Sequence, residues 1–597
     1  MVKESQERER FGRGEAYSVV IFLGLCFGLT GIRWGLPSQG RIGRIVGPGT
    51  HAEVFHHRLE DSWKKLHGRL GENLMLNPDS FGTFENVLDV PAGWGEPPAV
   101  LHNAIRSFHV RSVHDDEQTL LLAISKMRPQ RLELNPHFFA YGGSYIYALA
   151  AWLGAGALVG AVPLHRSMLP YLNDPAKMGA MYAWGRLLSV AAYIGFALVL
   201  MELGREVSGW TAGVGAAFLF ILSPASIIQA HTMKPHMYWS FFSIATLYLS
   251  VKAHGEGTRR SFLKAGAASG LAVGAAFNAW PSCLFVAAAS CLRMSERKRN
   301  FKKEALLLIQ AGAASLVVFC ITNPYWLFDF KRAYGEFAVI SEFTALNVLN
   351  PLTLAWGPLR QSVTLPLLLL MAAGLIYAVR AGTKRPGLFL CAAAFILFWG
   401  AAVSTAGVSG IRQIRYFLPL VGIGLLSAAV VVSEAARRGP WFRKAALALS
   451  CLVFISLGAE GMLYALNFRR TAGEYSNHHL AGAWIDANIP AGSTVGLLRE
   501  PAPSNSPYFG FYRVRIRLIP PAAFAGLSGD RLPEYFIVTS PDYDDRPRLE
   551  PALSKYYRLS ARFERMSLGW ASVHPTATTA NPLIEIYRKF EALPENS

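Results

Sequence analysis

The sequence predicts a mainly α-helical, polytopic membrane protein with an α/β domain on its outer face. Three observations carry that reading. The 597-residue chain is 52% hydrophobic and only 16% Asp, Glu, Lys or Arg, against about 25% in soluble proteins. Its apolar residues gather in runs close to the roughly 20 residues that a bilayer-crossing helix needs. Its 58 Lys and Arg outnumber 40 Asp and Glu, giving a net charge of +18, and much of the excess falls in short loops between the runs. The hydrophobicity excludes a disordered chain. The dilution of the basic residues by apolar stretches argues against a nucleic-acid partner.

The runs follow in order. After the polar, charged residues 1–16, an apolar run covers 17–32. No small-residue cleavage site follows it, only Arg33-Trp34-Gly35-Leu36-Pro37, so it reads as an anchor that stays. Further runs lie at 180–203, 210–228, 237–251, 262–277, 279–292, 305–321, 363–379, 388–406, 416–432 and 445–466, eleven with the first. The run 145–162 is ambiguous.

The basic loops orient the chain. The segment 293–303 carries six Lys or Arg, and 252–260, 380–385 and 437–444 are basic as well. Short basic loops stay cytoplasmic. Placing these four inside puts the N-terminus in the cytoplasm and the C-terminal segment outside, in a plasma (inner) membrane. The runs 262–277 and 279–292 then form a tight hairpin. The same parity makes 145–162 a re-entrant or interfacial helix rather than a crossing, tolerable at membrane depth only where protein covers it. The organisation is a cytoplasmic tail 1–16, a transmembrane domain 17–466 with a large outer loop 35–179, and an extracytoplasmic domain 467–597. Polar turn clusters and alternating stretches such as 535–539 give that last segment its α/β character.

The cluster His114-Asp115-Asp116-Glu117 is the outstanding polar feature. Adjacent carboxylates repel unless solvated, bound or used. An apolar stretch of helical character follows, so the cluster sits near a helix N-terminus, where negative charge is favoured. An acidic cap on a surface helix is the plainer alternative. Downstream, 133–143 combines Pro136, the Gly142-Gly143 pair and four aromatic or imidazole rings, a turn with a sticky face. Acid and aromatics at the outer membrane face suit a polar head group beside lipid. His51, His56, His57 and His67 fit no strong metal spacing. The six cysteines lie in or beside apolar runs and read as small core residues.

The block 111–117, with Leu134-Asn135-Pro136 and Tyr141-Gly142, resembles the first outer loop of the GT-C superfamily. These membrane glycosyltransferases use polyprenyl-phosphate sugars and include the protein O-mannosyltransferases and the aminoarabinose transferases of lipid A. Other motifs keep the family order: Ser223-Pro224 with His231-Thr232-Met233-Lys234-Pro235, the glycine-rich 270–274, Asn323-Pro324-Tyr325 with Asp329, Arg415-Tyr416 with Pro419, and 483–490. The resemblance covers most of the chain from about Arg111 onward and is specific for the superfamily rather than for a substrate.

It implies an inverting transfer of a sugar from a polyprenyl-phosphate donor to a hydroxyl acceptor on protein, lipid or polysaccharide. Asp116 is the implied base, with Glu117 and Asp115 beside it, and a carboxylate there suits proton removal from a hydroxyl. His114, Arg415, Arg412, Lys234, His236, Tyr141 and Asn135 are the implied substrate-binding residues. Cations at the membrane face would stabilise the leaving phosphate, although interfacial arginines also serve as plain anchors, and Lys234 with His236 also reads as an exposed loop pair. Three positions depart from the family pattern. Asp115 replaces a proline, His236 stands where a second acidic residue is common, and Asn278 where a lysine is. With that acid missing, no metal ligand is assigned and a divalent cation (Mg or Mn) stays an open possibility. A multi-span transporter and a non-catalytic glycan-binding membrane scaffold are the rival readings. The first is disfavoured by spans almost free of charge and by the lack of a repeat.

Overall fold

Every apolar run named above is helical over most of its length in the structure, a computed structural model that describes residues 2–47, 57–61, 64, 88–90, 99–295, 300–342, 359–406, 414–524, 526–527, 529–573 and 579–590. The helices are α1 (Val2–Leu29), α2 (Gln39–Val46), α3 (Ala99–Val110), α4 (Asp115–Lys126), α5 (Gly143–Leu158), α6 (Pro175–Ser208), α7 (Trp210–Leu222), α8 (Pro224–Ala230) and α9 (Pro235–Glu256). They continue as α10 (Arg259–Ala275), α11 (Pro281–Met294), α12 (Phe301–Thr322), α13 (Phe330–Glu342), α14 (Leu365–Ala381), α15 (Pro386–Ala406), α16 (Leu418–Ala436), α17 (Pro440–Ala472), α18 (Asn477–Asn488) and α19 (Arg546–Tyr556). The strands are β1 (Leu88–Val90), β2 (Thr494–Leu497), β3 (Arg515–Leu518), β4 (Tyr535–Thr539), β5 (Tyr557–Phe563), β6 (Ser567–Leu568), β7 (Ala571–Ser572) and β8 (Ile584–Lys589).

Local chemistry sets many of the ends. Pro175 and Pro235 open α6 and α9, where a missing N–H costs nothing. The side chains of Thr258 and Asn300 cap α10 and α12. Gly257 closes α9 with a left-handed φ of 63°, a conformation that favours glycine.

Contacts divide the chain into two units. The helical unit comprises Met1–Thr30, Ala123–Trp152 and Gly185–Ala465. Five of the described helices are long and apolar enough to cross a membrane, and six if α7 and α8, bent by 62°, make one broken span. The protein is therefore multi-pass, but eleven crossings are not established by length. The apolar part of α1, α5 and α15 are shorter than that standard, and α10 and α11 have 17 and 14 residues. The run 210–228 is broken because Pro224 lacks an N–H to continue the helix, and Ser223 leaves helical geometry and donates its hydroxyl to the Ser362 carbonyl at 2.8 Å.

Burial ranks the spans. In α16, 78% of the apolar window is buried within the protein, whereas in α12 only 11% is. So α16 is central, and α12 turns an apolar face outward, as a lipid-facing helix does. Small residues bring backbones close. A Cβ on Gly374 would lie 2.0 Å from the Ser427 carbonyl oxygen, and one on Gly266 2.1 Å from that of Ala311, so α14 packs tightly on α16 and α10 on α12. Buried Arg293, from the basic segment 293–303, pairs with buried Glu304 at 2.8 Å and donates to the His254 carbonyl. That charge is structural and leaves the loop less basic than its sequence suggests.

The sheet unit comprises Gly31–Leu122, Leu153–Trp184 and Leu466–Ser597. Its six-stranded sheet runs β1-β3-β2-β4-β8-β5. The inner strands β3, β2 and β4 are parallel, and β1, β8 and β5 are added antiparallel. β4 is buried at all five positions, as a parallel-sheet centre should be. Phe536, Val538, Leu549, Leu553 and Tyr557 form the core between the sheet and α19. β1 comes from the segment Gly31–Leu122, far in sequence from the other strands of this sheet. The six cysteines are all free.

Candidate active site: an acidic turn and a cationic aromatic cluster

In the sheet unit, α4 starts at Asp115, so Asp115, Asp116 and Glu117 form its first turn. The turn is built by Ser112, whose hydroxyl donates to the His114 carbonyl at 2.9 Å and accepts from the His114 N–H at 3.2 Å. The Glu117 N–H donates to the same carbonyl at 3.1 Å. Asp116 and His114 are half-buried, and Glu117 is fully buried. The Asp115 side chain lies outside the described residues.

Arg41 of α2 supports this turn from behind. Its guanidinium is fully buried and donates to the Phe108 carbonyl and, at 2.7 Å, to that of Arg111. Tyr182 donates to the Val110 carbonyl at 2.9 Å, and the Val113 N–H to the Gly35 carbonyl at 2.8 Å. The last turn of α3 and the irregular stretch leading to Asp116 are thus fixed from three directions. Sequence reasoning missed Arg41, because its neighbourhood shows no motif. Its one signal is a place on the apolar face of a short amphipathic helix beside Ile42 and Ile45.

Arg41 also lies 5.8 Å from the centroid of the Tyr508 ring. His478 stacks on that ring at 4.9 Å, and His479 meets it edge-on at 4.8 Å. Burial, with the Arg41 charge adding to it, pushes the His478 imidazole down to about 4. Burial together with His478 and Arg41 pushes His479 down to about 3. Both rings are neutral at neutral pH.

In the helical unit, four of the residues named from the sequence come together. Lys234 and His236 are buried, so they do not form an exposed loop pair. Lys234 precedes the first residue of α9, and its ammonium lies 5.9 Å from the centroid of Tyr141. The His236 ring sits between Tyr141, at 6.1 Å, and Tyr416, at 5.4 Å, edge-on to both. Its Nδ1 accepts from the Trp239 indole at 3.3 Å. Arg415, half-buried in the turn Ile414–Phe417, lies 5.1 Å from the centroid of Tyr416 and donates to its hydroxyl at 3.3 Å. The order is Lys234, Tyr141, His236, Tyr416, Arg415: two cations flanking three rings. Tyr416 and Trp239 are additions: the sequence signalled Tyr416 only through the segment opening with Arg415, and Trp239 only as a member of the apolar run 237–251. Arg412 lies outside the described residues.

Asn135 has a different setting. Its amide donates to Asp329 at 2.8 Å and its carbonyl oxygen accepts from the His137 N–H at 2.9 Å. Phe139 donates its N–H to Glu336 at 2.7 Å, and Gly143 donates to Asn323 at 2.6 Å. The aromatic turn is therefore clamped onto the segment 323–336. Among the described residues no three His, Cys, Asp or Glu side chains converge as metal ligands. His51, His56 and His67 fall outside them.

No family model matches the sequence, and no curated protein matches it. Solved structures do. The archaeal oligosaccharyltransferase AglB from Archaeoglobus fulgidus, in complex with an inhibitory peptide and a dolichol-phosphate, aligns over 98% of this chain and 75% of its own, at 11% identity and a TM-score of 0.46. ArnT from Cupriavidus metallidurans, bound to undecaprenyl phosphate, aligns over 75% of this chain and 88% of its own, at 13% identity and 0.36. The arabinofuranosyltransferase AftD from Mycobacteria aligns over 79% of this chain and 40% of its own, at 14% identity and 0.37. At such identities and scores the likenesses establish no activity for this chain.

Proposed function

We propose that this protein is an integral membrane glycosyltransferase of the GT-C type. It moves a sugar from a polyprenyl-phosphate donor to a hydroxyl acceptor at the outer face of the membrane, with inversion. Dolichol-phosphate and undecaprenyl phosphate, bound in the AglB and ArnT structures, exemplify the carrier this reading requires. The ordered motif resemblance suggests the class. The observation that carries it is the cluster in which buried Lys234 and half-buried Arg415 flank Tyr141, His236 and Tyr416. Cations in a water-poor, ring-lined setting suit a phosphate carrying a sugar, since charge is worth more there than in water. Lys234 also stands at the N-terminus of a 22-residue helix, which favours an anion.

In the reaction Asp116 takes the acceptor hydroxyl proton as the oxygen attacks the anomeric carbon. The bond to the phosphate oxygen breaks, and the lipid phosphate leaves with the electron pair. Lys234 and Arg415, with Arg412, stabilise its growing charge. His236 and Tyr141 hold the sugar, and Asn135 fixes the turn that carries Tyr141. Buried Glu117, with Asp115 and His114, holds the turn on which Asp116 stands. No metal ligand is assigned, since His236 stands where the resembled family often has a second acid, and none of these roles calls on a divalent cation. The acceptor is a protein, lipid or polysaccharide hydroxyl.

The test feeds membranes containing the full chain with defined polyprenyl-phosphate monosaccharides and reads the acceptor mass. A one-sugar gain that disappears in Asp116→Asn at equal expression supports the proposal. Full transfer by that variant removes Asp116 as base. Substrate crossing the bilayer with no glycosylated product would make the chain a transporter.

A further inference from the structure

Helices α7, α14, α16 and α17 line a partly open cavity of about 330 Å³ in the helical unit. Its wall is apolar along most of its length, with Gly215, Leu219, Ala429, Val453 and Phe454 among the lining residues, and Arg443 lines it as well. The lining of α17 extends from Arg443 to Phe454, about 16 Å at 1.5 Å per residue. That is a slot of acyl-chain length, and apolar cavities do not hold water.

The Arg443 end is strongly basic. Arg380, Lys384 and Arg385 lie at the end of α14 and just beyond it, and Arg437, Arg438, Arg443 and Lys444 lie between α16 and α17 or in the first turn of α17. Glu434 is engaged by Arg385 at 2.9 Å and by Arg437 at 2.8 Å. No ion pair among the described residues involves Arg438, Arg443 or Lys444. Trp441, two residues before Arg443 in the chain, is 72% exposed, a residue type enriched at the head-group level.

We infer that this cavity is a binding site for an anionic phospholipid. One acyl chain fills the slot, and the phosphate rests on Arg443 with Arg438 and Lys444 beside it. Basic pockets between membrane helices recognise anionic head groups in this way. The occupant is not the glycosyl donor. Arg415 precedes α16 and Arg443 follows it, so the 19 residues of that helix separate the two phosphate sites by about 28 Å.

The full chain, purified into nanodiscs of phosphatidylglycerol or phosphatidylcholine, is examined by native mass spectrometry. The wild type is expected to retain one phosphatidylglycerol at least tenfold better than phosphatidylcholine. Arg443→Gln, a change at an exposed side chain, is expected to bring the two lipids near parity. Gly215→Leu is expected to lose the retained lipid altogether. A Cβ there meets Ala429 at 3.5 Å, an ordinary contact, so the new side chain fills the slot without forcing the backbone. Equal retention of both lipids by the wild type overturns the inference, as does a retained polyprenyl phosphate in place of the phospholipid. Undiminished preference in Arg443→Gln, or an unchanged lipid in Gly215→Leu, does the same.

Discussion

Burial changes what Lys234 and His236 mean. In the sequence they flank Pro235 in a short polar stretch between apolar runs and look like solvent-facing polar residues. In the fold their side chains are enclosed among Tyr141, Trp239 and Tyr416, where a charge is felt more strongly than in water. With the donor phosphate as its target, Lys234→Met should lower transfer by on the order of 10²-fold, the usual cost of removing one preorganised donor. Arg415→Gln should act similarly, and single-turnover assays on defined donor would show both losses. Wild-type rates in both variants would leave the two cations with a packing role. The acidic cluster that holds Asp116 stood out in the sequence because three consecutive carboxylates are costly without a reason. Arg41 was not, because its role consists of carbonyls at 108 and 111 that come to it only through tertiary folding.

The helices were the most legible level, since apolar run length is set by the bilayer and written directly in composition. Their breaks were less so. The 62° bend between α7 and α8 depends on a single proline inside a run that otherwise reads as continuous. Close approaches between helices were invisible for a simpler reason: a glycine's neighbour lies elsewhere in the chain. Gly142, just before α5, is one such case, because a Cβ there would stand 1.9 Å from the Gly274 carbonyl oxygen. Gly142→Ala must therefore push α5 away from α10, at a cost of about 1–3 kcal/mol, and move the adjacent Tyr141. A lower thermal midpoint together with weaker donor binding is expected. Weaker binding should not accompany Gly374→Ala, which strains α14 against α16 instead. In the buried Arg293–Glu304 pair, Glu304→Gln strands a cation and should cost about 3–5 kcal/mol, measurable as a fall in the midpoint in detergent.

For the whole molecule, two histidines of the sheet unit make stability depend on acid. His478 and His479 are held neutral in the fold, down to about 4 and about 3, whereas an unfolded histidine titrates near 6.5. Between those values the unfolded chain binds more protons than the folded one, so stability rises with pH there. It is complete above pH 6.5 and declines as the pH falls, by on the order of 3 kcal/mol from His478 alone at pH 4. Thermal midpoints taken from pH 7.5 to 4.5 should drop, and His478→Gln should flatten that drop. An equally steep profile in the variant would assign the acid sensitivity to other groups. The α/β character of the C-terminal segment was readable from its alternating strands and turn residues. Its completion by residues 88–90 was not, since three residues carry too little pattern to announce a strand.

That completion imposes a timetable on synthesis. β1 pairs with β3 from Leu88↔Leu518 to Val90↔Ile516, so the ribosome makes one partner hundreds of residues before the other. At about 5–20 residues per second, the segment that carries β1 waits on the order of half a minute with its strand unpaired while the intervening helices are made. A fragment starting at 467 would inherit the opposite problem, a β3 edge left open for another chain to occupy.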